Sequence, residues 1–181
     1  MARTLCDTWA RAPEIGLSPI RYADGTLSTR AWTLTFPIEP VERAEIPFQP
    51  MESVFVFRSG DGYLVYSVCS HPRQPDAGRE SHLPFHAIEL VQDQIDRQAL
   101  EPGPIRTLIT GTCGMQQALQ EDPHGPPPDP AHQQDLLMGQ LTALASRTGL
   151  RYVYLSHCGL MNQHLWPAFL AVFGTNVQRA L

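Results

Sequence analysis

The chain contains no lysine; all 13 of its basic residues are arginine. This excludes any mechanism built on a Schiff-base lysine or a phosphate-loop lysine. Two readings account for the absence. One is a GC-rich genome that favours arginine codons, in keeping with the abundant Ala, Pro and Gly. The other is avoidance of lysine modification such as ubiquitination, as suits a protein delivered into a eukaryotic cell. Long apolar runs are also missing, none approaching the roughly 20 residues of a membrane span. The segment MARTLCDTWARAPEIG holds no apolar stretch of the kind a signal peptide needs. A cytoplasmic protein with no membrane partner is expected, with a secreted effector as the alternative. There is no basic block, and the net charge is −5, so nucleic acid is not an expected partner. The four cysteines, at 6, 69, 113 and 158, form no C-x-x-C pair. They read as free thiols or metal ligands rather than as a disulfide frame.

What is present suits one folded unit. The chain has 181 residues, of which 43% are hydrophobic and 17% charged, too apolar for disorder. A single domain over 1–181 is expected, mainly β over 1–75 and α/β over 76–181. Residues 1–28 show little periodicity beyond a turn signal at Asp24-Gly25. AWTLTF (31–36) alternates apolar and polar as a half-buried strand does. SVFVF (53–57) and YLVYSVC (63–69) flank a Gly-bearing loop and predict a β-hairpin. Both arms are apolar on both faces, which predicts cover on both sides.

The pattern then changes to a helical one. Ile88, Val91 and Ile95 lie on one helical face, and Pro102-Gly103-Pro104 ends the helix. IRTLIT (105–110) reads as a buried strand, and 115–121 as a helical turn or two. DPHGPPPD (122–129) reads as a surface loop. Asp129 is a good N-cap with Pro130 at the first helical position. Leu137, Leu141 and Leu144, flanked by Met138 and Ala145, give that helix its stripe, and Gly149 caps it. RYVYL (151–155) is a second short strand. A last helix starts near Trp166-Pro167 and uses Phe169, Leu170 and Phe173. The fold class expected is α/β (or α+β): a mixed sheet with an antiparallel hairpin region, a C-terminal βαβ unit with a right-handed crossover, and helices packed on the sheet.

Three predicted strands run into cysteine or histidine: YLVYSV into Cys69-Ser70-His71, TLITGT into Cys113-Gly114, and YVYLS into His157-Cys158-Gly159. Parallel strands would bring these ends to one edge, where open α/β sheets usually bind ligands. Two chemistries fit. In the first, Cys113 is a thiol nucleophile for amide or acyl chemistry, as in amidases or deamidases, and His157 is its base. Thr110, Asn162 or Gln163 would orient the imidazole. Gly114 and Gly159, with Asn162, would serve substrate and oxyanion. No cofactor is needed. In the second, three or four of Cys69, His71, Cys113, His157 and Cys158 hold zinc in a hydrolase or lyase. The substrate is a small molecule or a protein.

Against both stands ordinary packing, because free cysteine is among the most buried residue types. His82, His86, His124 and His132 read as loop or solvated residues, and His164 as an outer candidate for the site. A third reading is a non-catalytic binding protein, such as an effector, an inhibitor or a mobile-element accessory protein, with a protein partner.

Three short strings resemble motifs of known families. CSHPR (69–73) with TGTCGM (110–115) is similar to the two metal motifs of β-class carbonic anhydrases, but the first lacks its Asp and Thr110 stands at a ligand-His position. Cys69-Ser70-His71-Pro72 resembles the His-x-His-Pro string of metal-dependent deubiquitinase-like proteases, with Cys69 at the first His. TGTC followed later by His157 resembles receptor glutamine deamidases of the chemotaxis type. Each covers fewer than ten residues, and no residue role is carried over from any of them.

Overall fold

The computed structural model describes residues 16–37, 51–60, 62–67, 86–111, 129–156 and 163–179. Seven strands form one mixed sheet in simple chain order: β1 (Gly16–Arg21), β2 (Leu27–Pro37), β3 (Met51–Ser59), β4 (Gly62–Ser67), β5 (Ile105–Thr110), β6 (Tyr152–Leu155) and β7 (Val177–Arg179). β1 to β4 are antiparallel neighbours; β4 to β7 are all parallel. Each parallel step crosses over through a helix: α1 (His86–Asp96), α2 (Pro130–Thr148) and α3 (Trp166–Phe173). The expected α/β class, hairpin and βαβ unit are all observed.

Local chemistry explains most of these boundaries. Asp24 accepts hydrogen bonds from Thr26 N (2.9 Å) and Thr26 Oγ1 (2.7 Å), closing the β1–β2 turn. Those bonds, the backbone one first, hold its carboxyl below the ordinary value of 3.8. Asp129 caps α2 by accepting from Ala131 N (2.9 Å) and His132 N (3.1 Å). Gly149 ends it in the left-handed conformation, with φ 79°. Arg147 on α2 reaches Glu89 (3.7 Å) and Asp93 (3.6 Å) on α1, tying the two helices together at the surface.

Right-handed crossovers that always step the same way along a sheet put every helix on the same face. β4 to β7 step only one way, so α1, α2 and α3 share a single core with that face. Leu34, Val54, Val56, Val65, Leu108, Val153 and Val177 line its sheet side. Ile88, Val91, Leu137, Leu141, Leu144, Phe169 and Phe173 close it from the helices. Among the described residues no helix is long and apolar enough to cross a membrane.

The structure corrects four expectations. The hairpin arms are not covered on both sides: Phe57 is 38% exposed, and Phe55, Leu64 and Tyr66 on its face are only half-buried. The cause is the one-sided placement of the helices. Met138 sits one position off the α2 stripe and is exposed, as is Leu170 on α3. Residues 16–21 form a strand where no periodicity was legible, an edge strand with an irregular register between Pro19 and Arg21. A last strand, Val177–Arg179, also went unanticipated. The Pro-rich connection up to Pro50, the segment 70–85, the helical turns at 115–121 and the loop at 122–128 lie outside the described residues.

Candidate functional site

The parallel half of the sheet ends level. Register pairs Ser67 of β4 with Thr110 of β5, Thr110 with Leu155 of β6, and Leu155 with Arg179 of β7. One further bond, Ser156 N to Thr110 O at 2.7 Å, extends the ladder past β6. The condition on which the sequence reading rested is therefore met: β4, β5 and β6 are parallel and finish at one edge. Ser67 and Thr110 are buried side by side on the core face at this edge, and Gly111 beyond them is buried too. Thr110 Oγ1 donates to Gly111 O at 3.2 Å.

Of the candidate residues, Thr110, Gln163 and His164 are described, Gln163 exposed in the short 3-10 turn Gln163–Leu165. Cys69, His71, Cys113, Gly114, His157, Cys158, Gly159 and Asn162 lie outside the described residues, as does most of each string that resembled a known motif. Among the described residues no group of three or more His, Cys, Asp or Glu is placed to hold a metal.

Two helix starts complete the edge. Arg106 Nη1 donates to Gly149 O (3.4 Å) and Arg151 N to Arg106 O (3.0 Å), fixing the end of α2 near the beginning of β5. The start of α2 therefore lies at the opposite edge, beside the level strand ends. There Gln133 is 1% exposed, and its Oε1 lies 2.6 Å from His164 Nε2, in the short 3-10 turn that precedes α3. The next residue, Gln134, donates from Nε2 to His164 O at 2.6 Å. Gln133 Nε2 is buried with no hydrogen-bond partner among the described residues. Arg179, at the end of β7, lies over the Trp166 ring at 4.0 Å from its centroid.

An amide oxygen only accepts, so the Gln133 Oε1 contact pairs with the tautomer that carries its hydrogen on Nε2. Nitrogen NMR of labelled protein at neutral pH is expected to show Nε2 as the protonated ring nitrogen. A proton found on Nδ1 instead would mean that the Gln133 amide is turned round and donates to the ring. Sequence reasoning ranked His164 as an outer candidate and missed Gln133 and Arg179. Gln133 sits in the polar run HQQD, which looks solvated, and Arg179 ends a strand of three residues.

These features define an α/β protein whose parallel strand ends, helix starts and polar buried pair converge on one edge. The fold has counterparts among solved structures. The chain is similar to a metal-dependent hydrolase of the β-lactamase superfamily, with TM-score 0.54 and 13% identity, over 93% of this chain and 54% of that one. It is also similar to a metallo-β-lactamase from Pseudomonas aeruginosa in a mono-zinc form (TM-score 0.42, 10% identity, 96% of this chain and 53% of that one). A metallo-β-lactamase from Hirschia baltica matches with TM-score 0.41 and 13% identity, over 93% of this chain and 52% of that one. The likeness is one of fold, and the chain spans about half the length of these structures. No protein-family model and no curated protein sequence matches it.

Proposed function

We propose that the chain is a zinc-dependent hydrolase whose site lies at the shared end of β4, β5 and β6. The observation that carries this reading is the level, parallel finish of three strands that each run on within a few residues to Cys or His. A segment of two or three residues reaches at most about 10 Å, and three adjacent strand ends span about 10 Å. Cys69, Cys113, His157 and Cys158 are tethered that closely to one short edge, and His71 follows Cys69 by two residues. The fold likeness to a metal-dependent hydrolase adds support. The donor set fits the metal, since zinc takes thiolate and neutral imidazole in tetrahedral sets. Three of the five suffice for a catalytic site with an open position. Bound there, zinc supplies Lewis acidity to polarise a carbonyl or phosphoryl oxygen. The chain's own residues at that end of the sheet would then bind and orient the substrate: Arg179, held over Trp166 at the end of β7, offers a charge to an anionic group, and His164, held by Gln133 and Gln134, offers its imidazole.

A second reading rests on the same level finish of β5 and β6: Cys113, three residues beyond β5, attacks an amide or ester directly, with His157 as base, Thr110 orienting it, and Gly114, Gly159 and Asn162 holding the oxyanion. Native mass spectrometry of protein purified without chelator separates the two, alongside turnover of p-nitrophenyl acetate and bis-p-nitrophenyl phosphate. Near-stoichiometric zinc, lost to a strong chelator together with turnover, is the expected result. Turnover without metal, abolished by iodoacetamide at about pH 6, where an ordinary thiol of pKa near 8.5 is protonated, would sink the zinc reading in favour of the thiol one. Neither zinc nor turnover would overturn both and return the chain to the class of binding proteins.

A further inference from the structure

We propose that Gln133 is a positioning residue of the site: its carboxamide holds the His164 imidazole beneath the first turn of α2 and fixes which ring nitrogen the site can use. The assignment rests on the hydrolase reading above and adds a residue to it. The placement follows from the helix. Positions 133, 140 and 147 recur every seven residues, which keeps them along one side of α2. Arg147 on that side reaches Glu89 and Asp93 of α1. Gln134 lies about 100° further round the helix and donates to His164 O, in the turn that leads into α3. The buried stripe Leu137, Leu141, Leu144 runs between these two sides and faces the sheet. His164 is therefore held by its carbonyl on the α3 side of α2, while its ring reaches Gln133 on the α1 side at 2.6 Å. The imidazole lies across the sheet-facing side of the first turn, at the edge where β5 and β6, the strands that α2 joins, end level.

Packing alone does not call for glutamine at this position. Gln133 is buried with the inner stripe of α2, and its Nε2 is buried without a hydrogen-bond partner among the described residues. A buried amide group in that state is a cost to stability. Methionine would fill the same length of core, adapt as readily and carry no such cost. What glutamine adds over methionine is Oε1, the acceptor for the His164 ring. In a histidine that acts in a site, the hydrogen bond made by one ring nitrogen decides what the other can do. Removing a partner of that kind lowers activity by about 10–100-fold in metal-dependent sites.

The test pairs steady-state kinetics with proton NMR of the His164 Nε2–H, a signal that a hydrogen bond protects from exchange with water. The substrate is bis-p-nitrophenyl phosphate or p-nitrophenyl acetate, whichever the wild type turns over. Gln133→Met is expected to lower kcat about 10–100-fold with KM within about twofold, and to lose the protected signal while its urea midpoint stays near that of the wild type. Gln133→Glu, which keeps an acceptor at the same reach, should keep the signal. Gln140→Met removes a second amide from the same side of α2, one whose Oε1 is also buried without a partner among the described residues, and should change neither readout. A folded wild type without a protected Nε2–H overturns the proposal before any variant is made. So does a Gln133→Met protein with unchanged kcat, a loss of kcat that leaves the signal in place, a Gln133→Glu protein without the signal, or an equal loss from Gln140→Met. A wild type that turns over neither ester brings down the hydrolase reading and this inference with it, whereas full turnover by Gln133→Met brings down the inference alone.

Discussion

Phe169→Ala is expected to destabilise the protein by about 3–5 kcal/mol, the usual range for emptying a buried aromatic site. Phe169 is 1% exposed and is among the largest fully buried side chains described. It anchors α3 to the core that α1 and α2 share. The effect should reach the candidate site as well. α3 is preceded directly by the turn that carries His164, whose ring and carbonyl are held by Gln133 and Gln134. Urea unfolding followed by circular dichroism measures the stability, and the His164 ring signals report the site. A loss under about 1 kcal/mol would mean that the core collapses around the cavity far more readily than cores usually do.

The second large effect is expected at a glycine. Gly62 opens β4, and a Cβ there would stand 2.7 Å from Pro104 O and 2.6 Å from Arg106 Cγ. Pro104 O also accepts from Tyr63 N at 2.9 Å, the first link between β4 and the segment leading into β5. Gly62→Ala must push these strands apart or break that bond. Overpacking costs about 1–3 kcal/mol, and a lost hydrogen bond about 1 kcal/mol more. Gly60, in the same hairpin loop, has φ 55° but open space around it. Gly60→Ala should therefore cost only the 1–2 kcal/mol or so of a left-handed backbone. Equal losses at the two positions would show that the close approach at Gly62 relaxes freely. On the zinc reading proposed above, β4 leads to two of the ligands, Cys69 and His71, so Gly62→Ala should also lower zinc stoichiometry, whereas Gly60→Ala should not.

Much of this architecture is legible in the sequence, for reasons that can be named. Asp129, Pro130, three leucines at helical spacing and Gly149 specify α2 from end to end. Ile105–Thr110 and Tyr152–Leu155 are recognisable because apolar runs between turn signals have few other uses. The short outer strands are not legible: GLSPIR carries a proline, and Val177–Arg179 is too brief to show a period. Apolar residues on both faces of β3 and β4, Val54 and Val56 on one side and Phe55 and Phe57 on the other, read as burial on both sides, since composition does not say which face the helices cover. At the site, cysteine and histidine after strands were visible. The direction of β4, which makes three of those strand ends coincide, is a property of the sheet and not of the segment. The Gln133–His164 pair was invisible because its partners lie in distant, unremarkable polar runs.

Strand order and chain order are identical in this sheet, and that bears on how the protein is made. Each strand pairs with the one synthesised just before it, so no later segment has to be threaded between two already joined. The antiparallel strands β1 to β4 pair across the shorter connections, whereas each parallel pairing from β4 to β7 must wait for the helix of its crossover, so the parallel half is the slower part to form. The sheet grows at one edge only, away from β1, and the next strand to leave the ribosome is the one that extends it.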